Sequence, residues 1–340
     1  METLQHALRN AADALTRPEN HRVIYTTTAT TAAVALLAYS RHCYLEWHSL
    51  GEGGIPRTPR GWLTNVAAHL IARWDTRAVP APYEKSSSSS SAGSTTTTTT
   101  TATAIKLSAS DEEKYGPYSR TSFFFFSSPS SASASASEFK PVGGGGLLPP
   151  RRARPTVPTT VIPQRQTTHV PSGATIARQG AFLRALAAAN PRVLCIRPSG
   201  LESPDFAALW LVAKDHPTTT SSSGVDDVDV DAARVKWFSR LAPGEIAHVH
   251  PEGSAHVSLS LVDAAEVVRR GWGERHKLSG VRDLLPWGYV LVYAPRENDE
   301  GKEEGEEGKS DWEVWREIVL ASARVAARSA GFEGEIVVPE

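Results

Sequence analysis

The stretch 245-EIAHVHPEGSAHVSLSL-261 sets the geometry of everything around it. It places three of the chain's eleven histidines within nine residues, on two apolar-rich runs separated by Pro251-Glu252-Gly253. Proline suits the first position of a type I turn, and glycine takes the left-handed position that closes it. The spacing therefore predicts a hairpin with a three-residue loop. A loop of that length pairs His250 with Ser254 and His248 with His256. Side chains alternate faces along a strand, so all three imidazoles fall on one face of the hairpin. A loop of even length would divide them.

Working outward, 193-VLCI-196 and 207-AALWLVA-213 read as short buried strands before the hairpin. A helix over 175–190 precedes them, capped by Ser172, carrying Ile176, Phe182, Leu183 and Leu186, and stopped by Pro191. After the hairpin, 263-DAAEVVRRG-271 reads as a short helix with Asp263 as its cap, Glu266 three residues on and Gly271 as its stop. A loop is expected over 272-WGERHKLSG-280, then a strand over 288-GYVLVYA-294. The last helix has Ser310 at its cap, Glu313 at its third position, Trp312, Trp315, Val319 and Ala323 at helical spacing, and Gly331 at its end. No βαβ alternation with a glycine-rich phosphate loop appears. The fold class is α+β, an antiparallel sheet with helices packed on one side.

The rest of the chain is different material. With 36 Lys and Arg against 37 Asp and Glu, it has no electrostatic footprint for nucleic acid. Cys43 and Cys195 form neither a disulfide framework nor a metal spacing. From Val23 to Ser40 no residue is charged, which is near the minimum length for a membrane-spanning helix. A cleaved signal peptide competes, since Ala38-Tyr39-Ser40 is small-x-small, but Glu2, Asp13 and Glu19 do not suit a basic leader. A buried soluble helix competes as well. Length favours a single membrane anchor, with the domain expected on the cytosolic side, and two isolated cysteines are what a reducing compartment permits. Arg9, Arg17 and Arg22 before the span are matched by Arg41, Arg57 and Arg60 after it, so arginine balance does not orient it.

Over 59–74, Trp62, Val66, Leu70 and Trp74 make an apolar stripe on a helix that Thr58 can cap. Such a helix either packs on the domain or lies among lipid headgroups. Residues 85–148, with their Ser, Thr and Gly runs, read as a disordered linker in which 123-FFFF-126 is kept solvated by its serine neighbours. The runs 217–231 and 297–309 read as insertions in surface loops. The layout is thus a tail (1–22), a membrane helix (23–42), a juxtamembrane segment (43–84), the linker (85–148) and a domain (149–340).

Three readings of the histidine hairpin stand side by side. His248, His250 and His256 can chelate one metal; one imidazole can act as a base while its neighbours orient a substrate; or the face merely tolerates histidine. The acidic fourth ligand of cupin-type metal sites is not at its expected spacing, and Glu252 belongs to the turn and is expected to point away.

The block from Gly244 to Arg296 resembles the luciferase domain of fungi, found in luminous luciferases and in relatives of fungi and bacteria that make no light. The resemblance lies in GEIAHVH, GSAHVSLSL, DAAEVVRRGWGERHKLSG and YVLVYAPR, with a second match at 154-RPTVPTTVIPQRQ-166. It implies oxidation of a small pyrone or phenolic metabolite with dioxygen as co-substrate and no tightly bound cofactor, a metal being the alternative. A non-catalytic module that binds an aromatic metabolite is the rival outside enzymology. Carried onto this chain, the resemblance makes His248, His250, His256, Arg275 and His276 the candidate catalytic residues. It makes Trp272, Glu274, Tyr293, Arg296, Gln164 and Arg165 the candidate substrate contacts.

Overall fold

The computed structural model describes residues 6, 17–79, 115, 118–119, 122–124, 148–151, 153–212, 241–297 and 310–340. Most of the tail, most of the stretch read as a linker, and the insertions at 217–231 and 298–309 lie outside the described residues. The chain divides into two compact units, Met1–Gly51 and Glu52–Glu340.

In the first unit the described residues include helix α1 (Pro18–Ser49), with proline at its start, where a missing N–H costs nothing. It runs past the expected 23–42 because residues 41–49 contain no proline or glycine; Gly51, with φ of 84°, follows its end. The Thr26 hydroxyl bonds back to the carbonyls of Arg22 (2.8 Å) and Val23 (3.0 Å), which satisfies it without water. Asn20–Ser49 is long and apolar enough to cross a membrane by length and composition.

The second unit is α+β. After α2 (Pro59–His69) and α3 (Gly173–Ala189) come β1 (Leu194–Pro198), β2 (Ala207–Leu211), β3 (Glu245–Val249) and β4 (Ala255–Ser258). Then follow α4 (Leu261–Arg269), β5 (Gly273–Arg275), β6 (Tyr289–Val292) and α5 (Asp311–Ser329). The six strands form one sheet in the order β1-β2-β3-β4-β6-β5, with every neighbouring pair antiparallel. One face of the sheet, including Leu209, Ala247, Val257, Val290 and Val292, is buried with Phe182, Leu186, Val267, Trp315 and Ile318 of α3, α4 and α5. The expected helices on one side are there.

Three local expectations are corrected. The cap of α4 is Ser260, whose hydroxyl accepts the Asp263 N–H (3.1 Å), and not Asp263. Asp263 is instead buried in the first turn, where it accepts bonds from the Ser122 hydroxyl (2.6 Å) and the Phe123 N–H (2.9 Å). Residues 273–275, expected in a loop, pair with β6 as an edge strand. Phe123 and Phe124 are buried in the main core and not solvated, since two phenyl rings gain more by burial than their serine neighbours gain by hydration. At α5 the capping box of Ser310 and Glu313 is present as read.

Helix α2 packs on the other side of the sheet, where Ala68 joins Val161, Leu278, Leu285 and Tyr289 in a smaller core. Thr58 caps it, accepting the Gly61 N–H at 3.3 Å.

Candidate metal centre

The hairpin has the register that its loop length dictates. His248 faces His256, the His250 N–H bonds the Ser254 carbonyl (2.8 Å), and Gly253 has φ of 87°. The three imidazoles therefore share the face away from α3–α5, with ring centroids 4.6–5.2 Å apart. A fourth group reaches that face through an irregularity. Between β2 and β3 the register jumps, with Leu209 opposite Ala247 but Trp210 opposite Glu245, leaving Ile246 as an extra residue. A bulge of this kind reverses the alternation beyond it, so Glu245 turns to the histidine side. The Ser322 hydroxyl of α5 bonds the Ile246 carbonyl (3.3 Å) and the Ser258 carbonyl (2.7 Å), fastening the bulge from behind.

The hydrogen bonds fix where the ring protons lie. Glu245 sits 2.6 Å from His248 Nδ1 and also accepts from the Ser199 hydroxyl (2.7 Å) and the Gly200 N–H (2.8 Å). Burial alone would raise its pKa, but these donors hold it below the ordinary carboxylate value. An ionised carboxylate only accepts, so His248 donates from Nδ1 and its Nε2 faces inward. His250 Nδ1 lies 2.8 Å from the Ser254 oxygen, and the Ser254 hydroxyl donates to Glu252. His250 thus donates outward as well, and its Nε2 also faces inward. Both Nε2 atoms are 3.2 Å from His256 Nδ1.

A carboxylate completes the set. Glu202 Oε1 is 3.7 Å from His250 Nε2 and 4.0 Å from His248 Nε2, while its Oε2 is held by Arg165 at 2.8 Å. All four donor atoms lie within 4.8 Å of one another. Two imidazole nitrogens bound to one ion at about 2.1 Å sit roughly 3.0–3.4 Å apart, which brackets the spacing seen. Three nitrogens and one carboxylate oxygen are a donor set for iron, copper, nickel or zinc. Burial, the largest cause, with the Arg165 charge adding to it, pushes His250 and His256 well below the usual imidazole pKa, so both rings are neutral, as ligation requires. His256 Nε2 is buried without a hydrogen-bond partner. The residues fit a metal ion.

Of the residues expected from sequence, the cluster gathers His248, His250 and His256. His276 packs edge-on against His256 with centroids 5.2 Å apart, and Arg165 braces Glu202. Burial holds His276 down at about 3, and its Nδ1 accepts the Leu278 N–H. The other expected residues are engaged elsewhere. Arg275 is paired with Asp75 (2.6 Å), and Arg296 is bidentate to Asp311 at the start of α5 (2.9 and 3.0 Å). Trp272 is buried, with its N–H on the Pro149 carbonyl (2.6 Å). Glu274 is held by Arg77, Gln164 and the Tyr293 hydroxyl beside an open cleft of about 590 Å³ that none of the four donors lines. Glu252 does not point away: Arg165 draws it to 3.3 Å, leaving its other oxygen 3.4 Å from His250 Nδ1.

Two carboxylates escaped the reading. Glu202 lies far from the hairpin in sequence, before β2, and obeys no ligand spacing. Glu245 is three residues from His248, a separation that regular alternation assigns to the opposite face.

A glycine-rich strap covers the cluster. The Glu52 carbonyl accepts from Arg165, and a Cβ on Gly53 would lie 2.7 Å from Pro163 and 3.4 Å from Glu202 Oε2. A Cβ on Gly54 would collide with the Leu201 carbonyl. With the strap seated, the three histidines are at most 2 % exposed and Glu202 is 9 % exposed.

Residues 243–303 match the family model of the luciferase domain. Luciferase of Armillaria gallica is 41 % identical over 64 residues, 18 % of this chain and 24 % of that protein. Luciferase of Armillaria mellea is matched to the same extent, and luciferase of Neonothopanus nambi is 38 % identical over 66 residues, 25 % of its length. The chain thus spans about a quarter of the length of the curated relatives it matches. No solved structure matches.

Proposed function

We propose, from the match of residues 243–303 to the luciferase-domain model, that this protein is a metal-dependent oxidoreductase that uses dioxygen on a small enolic or phenolic metabolite. The observation that carries the reading is the pair of inward Nε2 atoms on His248 and His250, facing His256 Nδ1 and the Glu202 carboxylate. Bound there, a metal ion supplies a Lewis acid and, if redox-active, a path for electrons to dioxygen. If both oxygen atoms enter the substrate, the electrons come from the substrate and no external reductant is required.

The chain's own groups do the rest. Glu245, and Ser254 backed by Glu252, hold the outer ring nitrogens and so fix the orientation of His248 and His250. Arg165 bridges Glu202 and Glu252, offsetting part of their charge and holding Glu202 against the histidines. Tyr289, stacked on His256 with centroids 4.9 Å apart, offers a flat wall. The strap excludes water, which protects a reactive oxygen adduct of the substrate. In the same reading, α1 anchors the protein as a single pass with the domain on the cytosolic side. Light emission is no part of the proposal.

The test is elemental analysis of the purified full-length protein, paired with oxygen uptake across a panel of pyrones and catechols. One equivalent of a transition metal and metal-dependent uptake are expected, with both lost in Glu202→Gln. Oxygen uptake by metal-free protein would replace this reading with cofactor-free base catalysis. Tight binding of an aromatic without any uptake would leave a binding module.

A further inference from the structure

We propose that helix α2 lies on the surface of an anionic lipid bilayer, through an apolar side that the domain leaves uncovered. The burial of this helix is inverted. Toward the domain it turns Gly61, Asn65 and Ala68, which are small or polar. The Asn65 side chain accepts the backbone N–H groups of Val161 (3.1 Å) and Ile162 (2.9 Å), so the contact is specific and not greasy. Outward it presents Leu63, Val66 and Leu70, which are 59 %, 41 % and 86 % exposed, followed by Trp74 at 50 %. The helix ends at His69 and not at Trp74 as expected, so Leu63 and Val66, with Leu70 at the αR C-cap, make the apolar stripe, and Trp74 lies in the chain beyond it, its ring against His69. A contiguous apolar stripe of this kind marks an interaction surface in a soluble domain.

Charge selects the occupant. Between Gly53 and Trp74 the chain carries Arg57, Arg60 and Arg73 and no aspartate or glutamate. An apolar stripe with basic flanks and a tryptophan at its edge suits acidic headgroups over an acyl boundary. Chain length supports the same partner. Helix α2 begins ten residues after α1 ends, a leash of at most about 35 Å at full extension. An inserted α1 therefore keeps α2 within reach of the bilayer it crosses. The proposal rests on that insertion but not on the metal centre.

The full-length protein, with Cys43→Ser and Cys195→Ser, would carry a spin label at Leu70→Cys. It would be reconstituted in vesicles of phosphatidylcholine alone and of phosphatidylcholine with phosphatidylserine. Collisions with oxygen should exceed those with a nickel chelate in the serine-lipid vesicles, and the ratio should fall several-fold in Arg57→Gln/Arg60→Gln. Collisions dominated by nickel in both lipids would overturn the proposal. So would dipolar broadening between labels, which would make the occupant a second copy. A label shielded from both reagents without broadening would make it a segment of the chain itself. Protein absent from the vesicle fraction would overturn the insertion on which the proposal stands.

Discussion

Replacing Glu245 with glutamine keeps the shape of the site but removes the charge that commits the His248 ring proton to Nδ1. Metal affinity should then fall by about 10–100-fold, the usual effect of losing such a brace, while the melting temperature of the metal-free protein stays close to the parent's. Competition against a coloured chelator measures this, and unchanged affinity would mean that His248 is not a ligand. Asp263 makes a second prediction on pH. Burial, only partly offset by hydrogen bonds from Ser122, Phe123 and Ser260, raises its pKa to about 7, against roughly 3.9 in an unfolded chain. Between those values the unfolded chain has lost a proton that the folded protein keeps, so stability falls as pH rises through that window, by up to about 1.4 kcal/mol per pH unit. Asp263→Asn removes the dependence, so its melting temperature relative to the parent should be higher at pH 8 than at pH 5. An equal difference at both values would show that Asp263 titrates normally.

At the scale of elements, the hairpin and α5 were fully legible, because loop length sets register and Ser310 with Glu313 spells a capping box. The rest of the centre was not. Glu202 is brought in by tertiary packing alone, and Pro243-Gly244, just ahead of the bulge that recruits Glu245, reads in sequence only as the turn that opens the strand. The stripe on α2 was visible, but which side of that helix meets the domain was not, since Asn65 outcompetes Leu70 by satisfying two buried N–H groups. Two element-level predictions follow from packing. Trp315, fully buried where α5 meets the sheet, should cost about 3–5 kcal/mol as Trp315→Ala by chemical denaturation. Gly54→Ala should unseat the strap, because backbone occupies the space its Cβ would need. Metal exchange should then quicken several-fold with little loss of global stability, and an unchanged exchange rate would show that the strap is no barrier.

Across the whole molecule, the four donors come from a segment before β2 and from both strands of the hairpin, and only the folded sheet brings them together. Unfolding scatters them, so an ion held by all four stabilises the fold by about 2.7 kcal/mol at a hundredfold excess over its Kd. Adding metal should raise the melting temperature of the parent and leave that of His250→Ala where it was; an equal rise in both would place the ion elsewhere. The bulge at Ile246 has a wider consequence, for how this chain can change in length. Between β2 and β3, and again between β6 and α5, the sequence carries low-complexity runs, where no residue count is kept by the pairings described. From Glu245 to Ser258 the strands count residues in twos, with a single extra beat at Ile246. Dropping that one beat sends Glu245 to the far side of the sheet and leaves His248 without its proton acceptor, although every side chain of the site is still encoded. At its centre the fold is metrical.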